Sequence, residues 1–424
     1  MKIAIVGTGI AGNVAAYKLR QQHDITVFES GNHIGGHTNT VDVFEDGRNY
    51  PVDTGFIVFN DRTYPNFVCL LDEIGQESQP SEMSFSVQAG GSGIEYCGTS
   101  LDSLFAQRRN IVRPRFYRMI RDILRFNRTA LQDVDRHDES ANLGSYLAEN
   151  RYSGEFVDHY LVPMTAAIWS AEPVSVLDMP VRFLVRFFAN HGLLQINDRP
   201  TWRVIKGGSR QYVDKLVTGH RDRIRLNSPV RSIRRVDDRI ELHSATGGRE
   251  IFDYVFVACH SDQALALLID ATAAEQEVLG AIRFQSNEAI LHTDTSLMPN
   301  SRRAWAAWNY HVPQVSTRHV AVTYNMNILQ GLEAKNQYLV TLNNDQRIDP
   351  GRIIRRISYE HPVFSQESVA AQQRQADINC DRTFFCGAYW RNGFHEDGVV
   401  SALNALEHFE ERLSHGELHL RRAS

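Results

Sequence analysis

The sequence predicts an α/β protein, a Rossmann-like dinucleotide-binding domain with an α+β substrate domain interleaved into it. Three observations carry this. The first 36 residues hold a complete βαβ grip for a dinucleotide. Nucleotide-domain patterns return in the middle of the chain and again at its end. The two stretches between them differ in texture: one is mostly helical, and the other is rich in strands and aromatics.

Taken in order, Lys2-Ile3-Ala4-Ile5-Val6 reads as a buried strand and Gly7-Thr8-Gly9-Ile10-Ala11-Gly12 as a GxGxxG turn. Gly7 permits the tight turn, Gly9 the approach of a pyrophosphate, and Gly12 close packing of helix on strand. The helix that follows offers free N–H groups to phosphates. A second strand, Ile25–Phe28, ends on Glu29, whose carboxylate suits ribose hydroxyls and disfavours a 2′-phosphate. A glycine pair, Gly35-Gly36, comes soon after. A ligand-free βα turn is the alternative, but strand, turn, helix, strand and acid arrive in the required order.

The chain has 424 residues, enough for two or three domains with cores of their own. A net charge of -5 gives no footprint for nucleic acid. No apolar run reaches the length of a membrane span, and the apolar N-terminus carries turn glycines rather than a signal-peptide core. Five cysteines without a CxxC indicate neither a disulfide framework nor a zinc site, and point to a reduced, cytoplasmic protein. Seventeen histidines show no HExxH spacing, so no metal is expected, and no GxSxG element marks a serine hydrolase.

The middle pattern runs from Lys206-Gly207-Gly208-Ser209 through a helix to the strands Val230–Ile233, Arg239–His243 and Tyr254–Cys259. The last is Thr383–Gly387, a loop, and a helix with apolar residues at Val399, Leu403, Leu406, Phe409 and Leu413, for which Asp397 is the expected N-cap. This order predicts a discontinuous cofactor domain, 1–75, 201–279 and 376–424, and a substrate domain, 76–200 and 280–375. A hairpin is expected at Ser84–Val87 and Ile94–Tyr96, with the Gly-rich Gly90–Gly93 as its turn rather than a second fingerprint. After Pro114, Arg115, Arg118, Arg121, Arg125 and Arg128 fall along one helix side. The stripe fits an anionic membrane surface or an acidic carrier; a solvated or internally paired face is the alternative. The aromatics of Trp305–Tyr310 and Tyr389-Trp390 suit an apolar channel or plain core.

Four blocks together carry a resemblance: GTGIAG with ES-x4-GG, VDTGFI, KGGSRQYVDKL with the later SPV, and FFCGAYWRNGFHEDGVVSAL. The chain resembles the FAD-dependent oxidoreductases of the flavin amine oxidase and phytoene desaturase superfamily. Within it, the bacterial "predicted NAD/FAD-binding protein" subgroup is similar, and is often linked with fatty-acyl methyltransferases and cyclopropane synthases. The resemblance implies a glutathione-reductase-type FAD-binding domain. It places Gly7, Gly9, Ala11 and Gly12 at the pyrophosphate and Glu29 at the adenosine ribose. Gly36, His37 and Thr38 follow along the cofactor, with His37 where relatives often have arginine. Val230 falls at the adenine side. Gly387, Asp397, Gly398 and Val399 fall at the pyrophosphate end and the flavin. Ile10, Ser30, Gly35, Gly55, Phe56 and Ile57, in the same blocks, complete the expected cofactor set.

Two departures bear on chemistry. Amine oxidases often carry a lysine near flavin N5, but Gln285–Ala289 has none, and Asn287 takes the matched position. Phe394 stands where a cage tyrosine is common. The catalytic candidates are thus His395 as proton acceptor, Asn287 and Phe394. The expected activity is hydride removal from an apolar substrate, a desaturation or dehydrogenation of lipid fatty-acyl chains. The alternatives are an amine or polyamine oxidase, and an isomerase or non-catalytic flavin-binding partner of a lipid methyltransferase. The expected location is cytoplasmic, peripheral on the inner membrane face.

Overall fold

The computed structural model describes residues 1–91, 93–136, 141–312 and 321–423. Ser92, in the Gly-rich turn, lies outside the described residues.

The strand Lys2–Val6 is central in a five-stranded parallel sheet. Across the sheet the order is Ile224–Arg225, Asp24–Phe28, Lys2–Val6, Tyr254–Val257, Thr383–Phe385. Helices or strands cover both faces, which is why the central strands read as unbroken apolar runs. On one face pack the helix Ile10–Leu19 and the C-terminal helix His395–Ala423, through Val14, Val399, Ala402 and Phe409. On the other lie Ile233, Leu242 and Phe252 from a three-stranded antiparallel sheet, with Val278 and Leu279 beside them.

The second layer is a seven-stranded mixed sheet. It runs Ile353–Pro362, Phe284–His292, Leu339–Leu342, Val322–Asn325, Trp308–Val312, Phe85–Ala89, Ile94–Cys97. The predicted hairpin forms its last two strands. Helices from residues 114–190 pack with it around one core, which includes Phe116, Met119, Phe126, Leu184 and Phe188. The helix Pro114–Val134 starts with proline in its first turn, as the sequence indicates.

Asp53 joins the two layers. Fully buried, it accepts hydrogen bonds from Thr40 Oγ1 (2.6 Å), Ser209 N and Oγ (2.8 and 2.7 Å) and Gln330 Nε2 (3.0 Å). Gln330 Oε1 in turn accepts from the Asp53 backbone N–H at 2.9 Å.

Candidate active site

A cavity of about 980 Å³ begins at the GxGxxG turn, passes Gly55, Phe56 and Ile57, and opens between the Pro114–Val134 helix and residues 192–202. Its volume is that of a site for a large ligand.

At the inner end the turn is shaped for close approach. Gly7 has φ +104, and a Cβ there would lie 2.9 Å from the Ala258 carbonyl oxygen. A Cβ on Gly12 would lie 2.0 Å from the Gly7 carbonyl oxygen. Gly9 is the N-cap of Ile10–Leu19, with no side-chain cap, and a Cβ there would enter open space. The first-turn N–H groups thus stay available to an anion. Glu29 ends its strand beside them, its carboxylate taking hydrogen bonds from the backbone N–H of Thr8 (2.9 Å) and Gly31 (2.8 Å).

Past the glycine pair the wall turns aromatic. His37 stacks on Tyr359 with centroids 4.8 Å apart, and its ring lies 5.2 Å from that of His361. Burial drives the His37 pKa well below the usual histidine range. It is therefore a neutral ring, not a phosphate-pairing cation where relatives have arginine. Its Nε2 is buried without a hydrogen-bond partner among the described residues. His260 stacks on Phe284 at 4.1 Å and meets Glu360 at 3.1 Å. The outer limb is apolar, with Tyr96, Leu104, Ile120, Tyr160, Met164 and Ile168 in its wall. Tyr160 belongs to a single π-helical turn, Val157–Leu161.

The sequence-derived residues are not all placed alike. Gly7, Gly9, Ile10, Ala11, Glu29, Ser30, Gly35, Gly36, His37, Gly55, Phe56, Ile57, Gly387, Phe394 and His395 line the cavity. Gly12, Thr38, Val230, Asp397, Gly398 and Val399 are not among its lining residues. Gly398 serves helix packing instead, since a Cβ there would lie 2.5 Å from Ile10 Cγ2. Asp397 is not the N-cap. The helix begins at His395, and Asp397, in its first turn, reaches back to accept the Phe394 N–H at 2.9 Å.

The fold buries His395. Its Nε2 lies 3.0 Å from both Thr38 Oγ1 and Tyr212 OH, and burial pushes its pKa down to about 3. That makes it a poor proton acceptor. Its ring stacks on Phe56 at 3.5 Å, which fixes a cavity wall beside Gly55. Asn287 is buried behind the wall, hydrogen-bonded to His361 Nδ1 at 2.9 Å. Phe394 stacks with Phe187 at 5.4 Å and lies 6.5 Å from Trp169.

Sequence reasoning missed His361 and Tyr359. Both sit in Ile353–Pro362, whose arginines and glutamate hide the strand's cavity-facing positions. It also missed Glu396. Its buried carboxylate accepts from Asn66 N (3.1 Å) and Phe67 N (2.8 Å), capping the helix Pro65–Glu73, which has no side-chain cap at Tyr64. The HED spelling of the tail gave no sign of a partner 330 residues away.

The arginine stripe lies partly paired. Arg115 and Arg118 approach Glu155 at 3.6 and 3.7 Å, and Arg125 sits over the Tyr152 ring at 3.9 Å. Arg121 and Arg128 are exposed. Leu124, 48% exposed between them, is also a cavity residue, as is Ile196, 64% exposed, across the opening. Among the described residues no helix is long and apolar enough to cross a membrane.

A parallel nucleotide sheet, a glycine turn at a helix N-terminus, an acid at the next strand end and a large adjoining cavity define a dinucleotide-dependent enzyme fold. The chain belongs to the flavin-containing amine oxidoreductase family, whose model matches residues 10–323. It is thus an FAD-dependent oxidoreductase. No curated protein matches the sequence. Among solved structures, the chain is similar to cyclohexylamine oxidase from Brevibacterium oxydans IH-35A (16% identity, TM-score 0.68, covering 97% of this chain and 99% of that one). A CLA-producing fatty acid isomerase from P. acnes is also similar (16%, 0.67, 96% and 98%). So is putrescine oxidase bound to putrescine (16%, 0.67, 96% and 99%). At such identities the likeness speaks to the fold.

Proposed function

We propose that the protein dehydrogenates fatty-acyl chains of membrane lipids. The carrying observation is the cavity: it runs from the dinucleotide turn to an apolar limb whose mouth adjoins exposed apolar and cationic side chains. Among the described residues the carboxylates in its wall are Glu29 and Glu360. Both lie toward the dinucleotide end, Glu360 paired with His260. The apolar limb therefore offers no carboxylate to a cationic amine, and desolvating an ammonium there would be costly.

The residues present fit FAD. The Ile10–Leu19 N-terminus and Gly9 would receive the pyrophosphate, and Glu29 the adenosine ribose. The unmet Nε2 of His37 marks a polar point in the wall beyond them. When bound, FAD supplies the two-electron acceptor for a hydride. A –CH2–CH2– unit would give that hydride to the flavin from one carbon and release a proton from the next to solvent, leaving C=C. The chain's part is to align the acyl C–H bond and exclude water, through the aromatic packing of Trp169, Phe187 and Phe394 and the His395–Phe56 stack.

The mouth explains how such a substrate would arrive. Leu124 and Ile196 rim the opening, and Arg121 and Arg128 flank Leu124 one helical turn to either side. Val112 (79% exposed), just before the same helix, and Tyr117, in its first turns, stand among Arg113, Arg115 and Arg118 in the chain. This mixture suits an anionic lipid surface, apolar side chains entering the headgroup layer and arginines meeting phosphates.

Two measurements test the reading. Mixed anaerobically with phosphatidylglycerol vesicles carrying monounsaturated chains, the FAD-loaded protein is expected to lose its oxidised flavin absorbance, whereas putrescine and cyclohexylamine leave it intact. Bleaching by an amine but not by lipid would replace this reading with amine oxidation. Double-bond movement without net bleaching would replace it with isomerisation. In co-sedimentation, the protein is expected to bind phosphatidylglycerol vesicles, not phosphatidylcholine ones. The pair Arg121→Glu and Arg128→Glu should weaken this about tenfold or more, at about 1 kcal/mol per charge. Equal binding to both vesicle types would remove the electrostatic part of the argument.

A further inference from the structure

We propose that His361 is a positioning residue, its ring locked in one tautomer so that a neutral Nε2–H is held toward the cavity as a donor to the bound flavin. The proposal rests on the FAD site and not on the choice of substrate.

The lock is a relay in which every polarity is forced. The Glu288 backbone N–H can only donate, and it lies 2.8 Å from Asn343 Oδ1. That fixes the Asn343 amide, so its Nδ2 donates to Asn287 Oδ1 at 2.6 Å. Asn287 Nδ2 must then donate, and it lies 2.9 Å from His361 Nδ1. A second anchor agrees: the same Nδ2 lies 3.4 Å from the Gln285 carbonyl, which can only accept. His361 Nδ1 is therefore an acceptor without a proton, and in the neutral ring the proton sits on Nε2. Buried Asn287 has no spare orientation, because rotating its amide would set two oxygens and two donors against each other.

With Nδ1 turned to Asn287, the opposite ring edge is the part of His361 left for the cavity it lines. Among the described residues Nε2 has no hydrogen-bond partner. The surroundings keep the ring uncharged: the His37 ring lies 5.2 Å away, His260 is close by, and burial pushes the His361 pKa down to about 4. A neutral donor on a rigid strand can hold a ring carbonyl or imine nitrogen of flavin without adding a charge. The physical purpose of an asparagine at 287 is then to orient a histidine from the next strand.

The test is histidine 15N NMR on the full chain, with and without FAD, His361 being assigned by the resonance lost in His361→Gln. Expected at pH 7 are a bare Nδ1, a protonated Nε2, and a shift of the Nε2 resonance on adding FAD. In Asn343→Asp, a carboxylate still accepts the Glu288 N–H but has no N–H to give. Asn287 must then rotate, and the His361 proton is expected to move to Nδ1, with FAD affinity falling about 3- to 10-fold. Asparagine and aspartate both tolerate the positive φ of 53° at this position. A wild-type ring that is cationic or protonated at Nδ1, or an Nε2 resonance unmoved by FAD, would overturn the proposal. Those wild-type measurements decide it even if the variant does not fold.

Discussion

Gly9→Ala and Gly12→Val, three residues apart, are expected to fail in opposite ways. At Gly9 the backbone is ordinary (φ -62) and a Cβ meets nothing within 4 Å. Alanine should fold, with a melting temperature close to that of the wild-type apoprotein. The open space is where a pyrophosphate must approach the helix N-terminus, so the methyl group should weaken FAD binding at least about tenfold, or about 1.4 kcal/mol. At Gly12 the clash is internal: a Cβ lies 2.0 Å from the Gly7 carbonyl oxygen and 3.2 Å from Ala258 Cβ. Valine there must push the helix off the central strand, at an expected cost on the order of 3–5 kcal/mol. That is a large share of a typical stability of about 5–15 kcal/mol. Calorimetry on apoprotein separates the two, and FAD titration completes the comparison. A Gly12→Val protein that melts like wild type would show that the helix is free to move, and would sink the packing argument.

The same contrast shows what was legible in the sequence. The GxGxxG turn could be read because its constraint is local: strand, turn and helix are neighbours in the chain, and each glycine answers to atoms within a few residues or on the adjoining strand. The five-stranded sheet was legible for a similar reason, since strands buried on both faces must be apolar throughout, as Ile3, Ala4 and Ile5 are. The reacting part of the cavity was not. Its wall is assembled from residues 37, 260, 359 and 361, which become neighbours only when two sheets pack. Residue type misled there as well. Asn287 drew attention by standing where a lysine is common, yet it lies behind the wall, and the group that lines the cavity is His361 of the neighbouring strand. His395 drew attention as a base beside a helix start. Its stack on Phe56 and its bonds to Thr38 and Tyr212 came only with the fold. The shift of Asp397 from N-cap into the first turn is smaller in kind: helix ends are set by capping geometry, which a pattern of apolar residues does not resolve.

Acid is expected to unfold the protein starting near pH 6.5, earlier than its carboxylates alone would require. Burial lowers the pKa of His191 and His292 from 6.5 to about 4, and of His395 to about 3. His220, His311 and His361 are lowered to about 4 as well. Between those values and 6.5 the unfolded chain binds protons that the folded chain refuses. Stability therefore rises with pH across that window and is lost as pH falls through it. Three groups oppose the trend. Burial raises Asp53 and Asp397 from 3.8 to about 6 and also raises Asp158, so the folded state holds the extra protons there and gains stability as pH drops from about 6 toward 4. The histidines outnumber the aspartates. Each of the four buried ones, His191, His220, His292 and His395, costs on the order of 3 kcal/mol by pH 4. The balance must fall steeply, and a marginally stable fold cannot absorb it. Thermal melts of apoprotein between pH 8 and pH 4 should show a plateau ending near pH 6.5, then a continuous decline. His292→Gln and His395→Gln should each shallow the decline below pH 6, because glutamine is uncharged throughout the range. A melting temperature that stays flat from pH 7 down to pH 4.5 would mean that these rings are already protonated in the folded state, and that the buried environment described for them is wrong.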